Sequence, residues 1–258
     1  MQQIQDCSRP RLADTKRLHR LLFGVYFRED LYDRLCARHP GAMRALHWRI
    51  PAAMRARNLI FIHVPRVAGT SIARALFGKG HAAHLSIRTY RALDPDFFAA
   101  AHSFAVLRDP FDHFASAYAY VRGAGTQTCR LADVFVAETE KFRGVDDYLS
   151  YLEDRDVLSL DFVMRPQSWF VCDRDGTTPL VKTLFLYGDD SDRLHAFLRG
   201  YGVQQLPWVN ATVRQPLLLS WRQKGRIERL FANDFTLVEA LRRRHTYAAD
   251  EFIRIAAE

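Results

Sequence analysis

Residues 58–65 read NLIFIHVP, an apolar run without alternation. A strand with one face in water alternates apolar and polar side chains, so an unbroken run marks a strand covered on both faces. The next twelve residues constrain the fold further. Apart from Arg66, the loop 65–69 carries only short side chains. Residues 70–77 then take helical spacing, with Ile72, Ala75 and Leu76 on one face and Gly78 placed to cap the end. The same order returns at residues 103–107, where Arg108-Asp109-Pro110 leads into a helix to about Arg122. Asp109 is a capping residue there, and Pro110 suits the first helical position. Residues 181–187 make a third candidate strand, closed by GDDSD before a helix from about Asp192. Strands that alternate with helices pair in parallel, because each crossover returns the chain to the same end of the sheet. The expected fold is α/β, a central parallel sheet flanked by helices in a single domain.

The segments outside this core are basic. Residues 1–57 hold 12 Lys and Arg against 5 Asp and Glu, and residues 214–244 hold 8 against 3, within a chain of net charge +8. Residues 11–38 have helical spacing interrupted near Gly24 and ended by His39-Pro40-Gly41. This gives three units: a basic N-terminal helical flank (1–57), a core (58–215) and a C-terminal helical segment packed on the core (216–258). A basic field favours polyanionic partners or a nucleotide; charge scattered at helical spacing is equally the mark of a solvated surface. The apolar fraction of 48% excludes a disordered chain. No apolar stretch approaches the roughly 20 residues of a membrane span. The first 17 residues contain no apolar signal region, so a cytoplasmic location is expected. Cys7, Cys36, Cys129 and Cys172 are widely spaced and form no CxxC, which argues against a disulfide framework or a zinc ribbon.

Chemistry concentrates where strands end. The loop HVPRVAGTS (63–71) offers Arg66, the backbone of Val67, Ala68 and Gly69, and the hydroxyls of Thr70 and Ser71 at the start of a helix. Free N–H groups and the positive end of the helix dipole bind anions there. The pattern is P-loop-like without being a Walker A loop, since the first glycine and the lysine are both missing. An ordinary strand–helix turn capped by Thr or Ser has the same composition. Arg108 stands at a strand's carboxyl end, where open α/β sheets bind ligands. Ser116 lies about two turns into the next helix, on a side shared with Asp112, His113 and Tyr120. Two phosphate grips on neighbouring strands imply one nucleotide with two separated phosphates.

Together these segments resemble the sulfotransferases that use 3′-phosphoadenosine 5′-phosphosulfate (PAPS). HVPRVAGTS is similar to their 5′-phosphosulfate loop, P-K-x-G-[GT]-T-S. FAVLRDPFDHFASAY (104–118) is similar to their 3′-phosphate motif, V-R-[DN]-P-x-[DE]-R-x-x-S-x-Y. The bacterial members of the glycan-type branch add a segment like HLSIRTYRALDPDFF (84–98) and a block like FVMRPQSWFVCD (162–173). LPWVN (206–210) is also familiar from them, so the resemblance covers about residues 58–215. The chain departs from the pattern twice, with Arg66 in place of lysine and His113 in place of the second arginine. Arginine stabilises developing negative charge but is a poor proton donor.

The resemblance implies transfer of a sulfuryl group from PAPS to a hydroxyl of an acceptor. PAPS is then the co-substrate and PAP (adenosine 3′,5′-bisphosphate) the product, with no metal required. The implied acceptor is a carbohydrate or glycolipid, ahead of a peptide or small metabolite. Arg66 and the 67–71 loop would hold the phosphosulfate, and Arg108 and Ser116 the 3′-phosphate. His84 leads the family segment and is the expected base, with His81 beside it as competitor or orienting group. His63, within the loop pattern, is expected to pack or orient it. Arg165, Gln167 and Trp169 are candidates to line the acceptor pocket. Two other readings stay open: an atypical P-loop kinase, and a nucleotide- or polyanion-binding protein with weak or no transferase activity. No specific nucleic-acid partner is expected. The basic flanks leave room for peripheral contact with an anionic membrane, at the inner face.

Overall fold

The computed structural model describes residues 20–39, 50–78, 83–125, 130–207 and 217–255. Among them, β1 (Leu59–Ile62), β2 (His102–Leu107) and β3 (Thr183–Leu186) form a parallel sheet in the order β1-β2-β3. Phe61 pairs with Phe104, and Phe104 in turn with Thr183. Every residue of β1 is buried, as are all those of β2 after His102. The unbroken apolar run at the first strand thus has its physical counterpart. β3 is half-buried over Thr183 and Leu184.

Helices fill the connections. Before β1 come α1 (Arg28–Arg38) and α2 (Ala52–Ala56); between β1 and β2 lie α3 (Gly69–Phe77), α4 (Ile87–Leu93) and α5 (Pro95–Ala100). Between β2 and β3 lie α6 (Pro110–Arg122), α7 (Asp133–Thr139), α8 (Val145–Glu153) and the short α9 (Ser168–Val171). The chain continues through α10 (Ser191–Gly200), α11 (Trp221–Leu230) and the long α12 (Ala232–Ile255). Their starts follow the expected chemistry. Asp109 accepts from the N–H groups of Phe111 and Asp112 with Pro110 behind it, and Ser220 with Gln223 forms a capping box on α11. Gly24, at φ 67°, breaks the N-terminal helical stretch at the interruption expected from its sequence.

One apolar core surrounds the sheet and a second lies between α6, α8 and α11. Tyr32 of the N-terminal flank and Leu237 and Leu241 of α12 belong to the first; Tyr26, Ile227 and Phe231 belong to the second. The described parts of both basic flanks are therefore built into the body. Phe104, fully buried, meets Phe61 at 4.8 Å and Phe197 at 4.8 Å between ring centres. Burying each such ring contributes roughly 1.5–3 kcal/mol. No described helix is long and apolar enough to cross a membrane.

Candidate functional site

The loop between β1 and α3 is held in a conformation that L-residues avoid. Arg66 and Ala68 both have positive φ, 66° and 62°, and Ala68 is the N-cap of α3. Each left-handed non-glycine residue costs roughly 1–2 kcal/mol, and such strain persists only where surrounding contacts impose it. Two histidines supply those contacts. The His63 ring lies so close to Gly69 that a Cβ there would come within 1.9 Å of its Cδ2, which is why only glycine fits. His113, 2% exposed, donates from Nε2 to the Pro65 carbonyl at 3.1 Å. Burial pushes its pKa down to about 4, so the ring is neutral at ordinary pH. His113 therefore props the loop without adding charge. It does not stand on a polar face of α6 as its spacing implied; Tyr120, expected on that face too, is also buried. The reason is that α6 turns this side toward the loop.

The same packing gathers the cations. Arg66 Nε donates to Ser116 Oγ at 3.2 Å, and its guanidinium lies 5.0 Å from the centre of the Tyr120 ring. Arg108, 5% exposed, donates from Nη1 to the Arg66 carbonyl at 3.2 Å and sits over the Tyr187 ring at 5.3 Å. Its Nε is buried without a hydrogen-bond partner; the carboxylate of Asp112 approaches only to 3.7 Å. The two grips read from sequence thus converge on one place at the carboxyl ends of β1 and β2. They open into a cavity of about 840 Å³ bounded by residues 66–71 and Arg108 and Ser116 at one end. Tyr187, which packs on Arg108, together with Leu194, His195, Arg199 and residues 204–207, lines the rest of it. Three arginines and no carboxylate are among these lining residues. With the N-terminus of α3 aimed at the same place, the field favours an anion.

His84 is partly buried against the same loop. Its ring is 4.3 Å from that of His63, and Nδ1 is 2.9 Å from the His63 carbonyl. A carbonyl oxygen only accepts, so Nδ1 carries the proton and Nε2 keeps its lone pair. Burial lowers the pKa of His84 and keeps it neutral. His63, not His84, is among the residues lining the cavity. His81, its competitor in the sequence, lies outside the described residues, as does Trp208.

The three candidates for acceptor-pocket lining sit elsewhere. Arg165 is fully buried: Nη1 and Nη2 donate to the Asp30 carboxylate at 2.6 and 2.8 Å, and Nε and Nη2 to the Leu160 carbonyl. It is enclosed by the rings of Phe162 and Trp169 at 4.4 and 4.6 Å. Gln167 is also fully buried, bonded to the main chain of Arg108. Trp169 lies against both Arg165 and Arg88. None of the three lines the cavity, because the α9 region turns its polar side chains inward to satisfy buried partners. The segment 84–98 is likewise tied down: Ser86 Oγ donates to Asp33 of α1 at 2.6 Å, and Arg88 to the Cys172 carbonyl at 2.9 Å. Conversely, Tyr187 and Arg199 line the cavity although nothing in their local sequence marks them; only the strand-end position of Tyr187 carried a signal. Among the described residues no group of three or more His, Cys, Asp or Glu is arranged to hold a metal ion. In comparisons with known proteins, no family model, no curated protein and no solved structure matches this chain.

Proposed function

We propose that this protein is a PAPS-dependent sulfotransferase with a P-loop-like phosphosulfate site. One observation carries the proposal: Arg66, Arg108, Ser116 and the N-terminus of α3 meet at one end of a cavity whose described lining holds no carboxylate. The motif resemblance assigns these residues to PAPS, and their convergence supports that assignment. The α3 loop would hold the 5′-phosphosulfate, and Arg108 and Ser116 the 3′-phosphate. The apolar side-chain faces of Tyr187, Leu194 and Leu206 line the same cavity and suit a purine.

Transfer is an in-line displacement at sulfur. The acceptor hydroxyl oxygen forms the new S–O bond while the bond from sulfur to the bridging phosphate oxygen breaks. The electron pair leaves with that oxygen, where Arg66 and the loop N–H groups stabilise the growing charge. The resemblance gives the acceptor proton to His84, whose Nε2 keeps its lone pair because Nδ1 donates to the His63 carbonyl. His63, with its ring centre 4.3 Å away, is the histidine that lines the cavity. The sulfuryl group carries less negative charge than a phosphoryl group, so the fixed cations meet the need that a metal ion meets in kinases. The acceptor class remains a carbohydrate or glycolipid hydroxyl.

The test is incubation with PAPS and a panel of hydroxyl acceptors, read by mass spectrometry for addition of one SO₃ group. Transfer to at least one acceptor is expected. His84→Ala should keep bisphosphate binding while turnover falls roughly 100-fold or more. A second reading has an observation of its own, since the Arg66 guanidinium is engaged by Ser116 and Tyr120. A protein that binds adenosine bisphosphate tightly and transfers nothing to any acceptor would establish that reading, a nucleotide-binding protein, instead.

A further inference from the structure

Arg108 comes directly after the last residue of β2. The Leu107 carbonyl accepts the last rung from β3, the Tyr187 N–H at 2.7 Å, and pairing with β1 stops at Ala105. The peptide groups of Arg108 therefore lie past the end of the ladder in the interior, where unpaired backbone is costly. One side chain serves both. Gln167 Oε1 accepts from the Arg108 N–H at 2.8 Å, and Gln167 Nε2 donates to the Arg108 carbonyl at 2.8 Å. A primary amide with donor and acceptor side by side replaces a rung of strand.

Gln167 is held in turn from the C-terminal helix. The Asp234 carboxylate accepts from the N–H groups of Gln167 and Ser168, both at 2.8 Å, and Asp234 is 1% exposed. Eight residues along the same helix, Arg242 donates to Asp109 at 3.0 Å and lies 3.7 Å from Asp189. The residue after Arg108 is thus fixed to α12 as well.

We infer that Gln167 is a positioning residue for Arg108: it fixes the main chain from which this guanidinium meets an anion in the cavity, and Asp234 of α12 fixes Gln167. The inference rests on the anion site proposed above. It predicts a selective defect. Without the amide clip, Arg108 loses its placement and its bond to the Arg66 carbonyl, whereas the α3 loop keeps its two other supports in His63 and His113.

The experiment compares wild type, Gln167→Met and Gln167→Glu by calorimetry with three probes: adenosine 3′,5′-bisphosphate, AMP and inorganic phosphate. Gln167→Met keeps the volume and removes both bonds. Gln167→Glu keeps an acceptor for the N–H and sets an oxygen against the Arg108 carbonyl. Both should bind bisphosphate about tenfold more weakly or worse, while AMP affinity changes by less than about threefold. Should Gln167→Met fail to fold, Gln167→Glu carries the comparison. Unchanged bisphosphate affinity in a folded variant overturns the inference, as does an equal loss for AMP, which is the mark of a merely structural role. If wild type binds phosphate but does not prefer bisphosphate, the nucleotide reading fails on its own, and lost phosphate binding in the variants still supports the positioning role. If wild type binds none of the three probes, both fall.

Discussion

Arg165 and Arg108 are both nearly sealed from solvent, at 0% and 5% exposure, yet their surroundings differ in kind. The Arg165 guanidinium spends its donors on the Asp30 carboxylate and the Leu160 carbonyl inside an aromatic box. Arg108 donates one side-chain hydrogen bond, to the Arg66 carbonyl, and has the exposed Asp112 carboxylate at 3.7 Å; its Nε has no hydrogen-bond partner, and the residue borders a cavity. A buried cation without full compensation is costly; under the function proposed above, the incoming anion completes that compensation. A buried cation with full compensation is a staple. The difference separates what holds α1 to the body from what the body presents to a ligand.

The contrast predicts opposite responses to the same substitution. Arg165→Met leaves the Asp30 carboxylate buried and alone, and should cost about 3–5 kcal/mol in urea unfolding. Adding Asp30→Leu to it should recover much of that loss. Arg108→Met should change stability by less than about 1 kcal/mol in either direction. A severe loss of stability at Arg108 with none at Arg165 would invert the assignment.

A second response concerns the neutral histidine under the loop. In the folded state the His113 pKa is pushed down to about 4 from an ordinary 6.5, so the unfolded chain binds the proton more readily. Its contribution to stability is complete above pH 6.5, declines as pH falls, and is gone near pH 4; across that window it amounts to about 3 kcal/mol. The buried carboxyls of Asp30 and Asp234, pushed up by desolvation, act with the opposite sign. The informative quantity is therefore the difference between wild type and His113→Gln, which keeps a donor for Pro65. That variant should show a shallower loss of stability between pH 6.5 and 4, measured by denaturant midpoints.

The smallest effect tests the strain in the loop. Ala68→Gly removes a Cβ from a left-handed position and should stabilise the fold by about 1 kcal/mol. If the conformation is imposed by His63 and His113, anion affinity should change by less than about twofold. A large loss of affinity would mean that the alanine methyl itself shapes the site.

The sheet was legible because unbroken apolar runs of four to six residues have few other uses, and Arg108 was legible because it ends such a run. The loop was legible from Gly69 and the hydroxyls beside it. What the chain did not disclose was inwardness. Helical spacing placed His113 and Tyr120 with Asp112 and Ser116, yet two of the four face the loop and are buried. Arg165 and Gln167 stand in a polar interruption of an aromatic run, which reads equally well as a ligand pocket or an internal staple. The partner that decides it, Asp30, is 135 residues away. Polar residues reveal their role only through partners, and those partners are set by tertiary packing.

The measurement that bears hardest on the anion site is calorimetric titration of wild type and Arg108→Ala with adenosine 3′,5′-bisphosphate and with AMP. Wild type should bind the bisphosphate more tightly than AMP, and Arg108→Ala should lose about 2–3 kcal/mol of bisphosphate affinity while binding AMP as before. Equal affinity of wild type for the two nucleotides, or an unchanged bisphosphate affinity in Arg108→Ala, would contradict it.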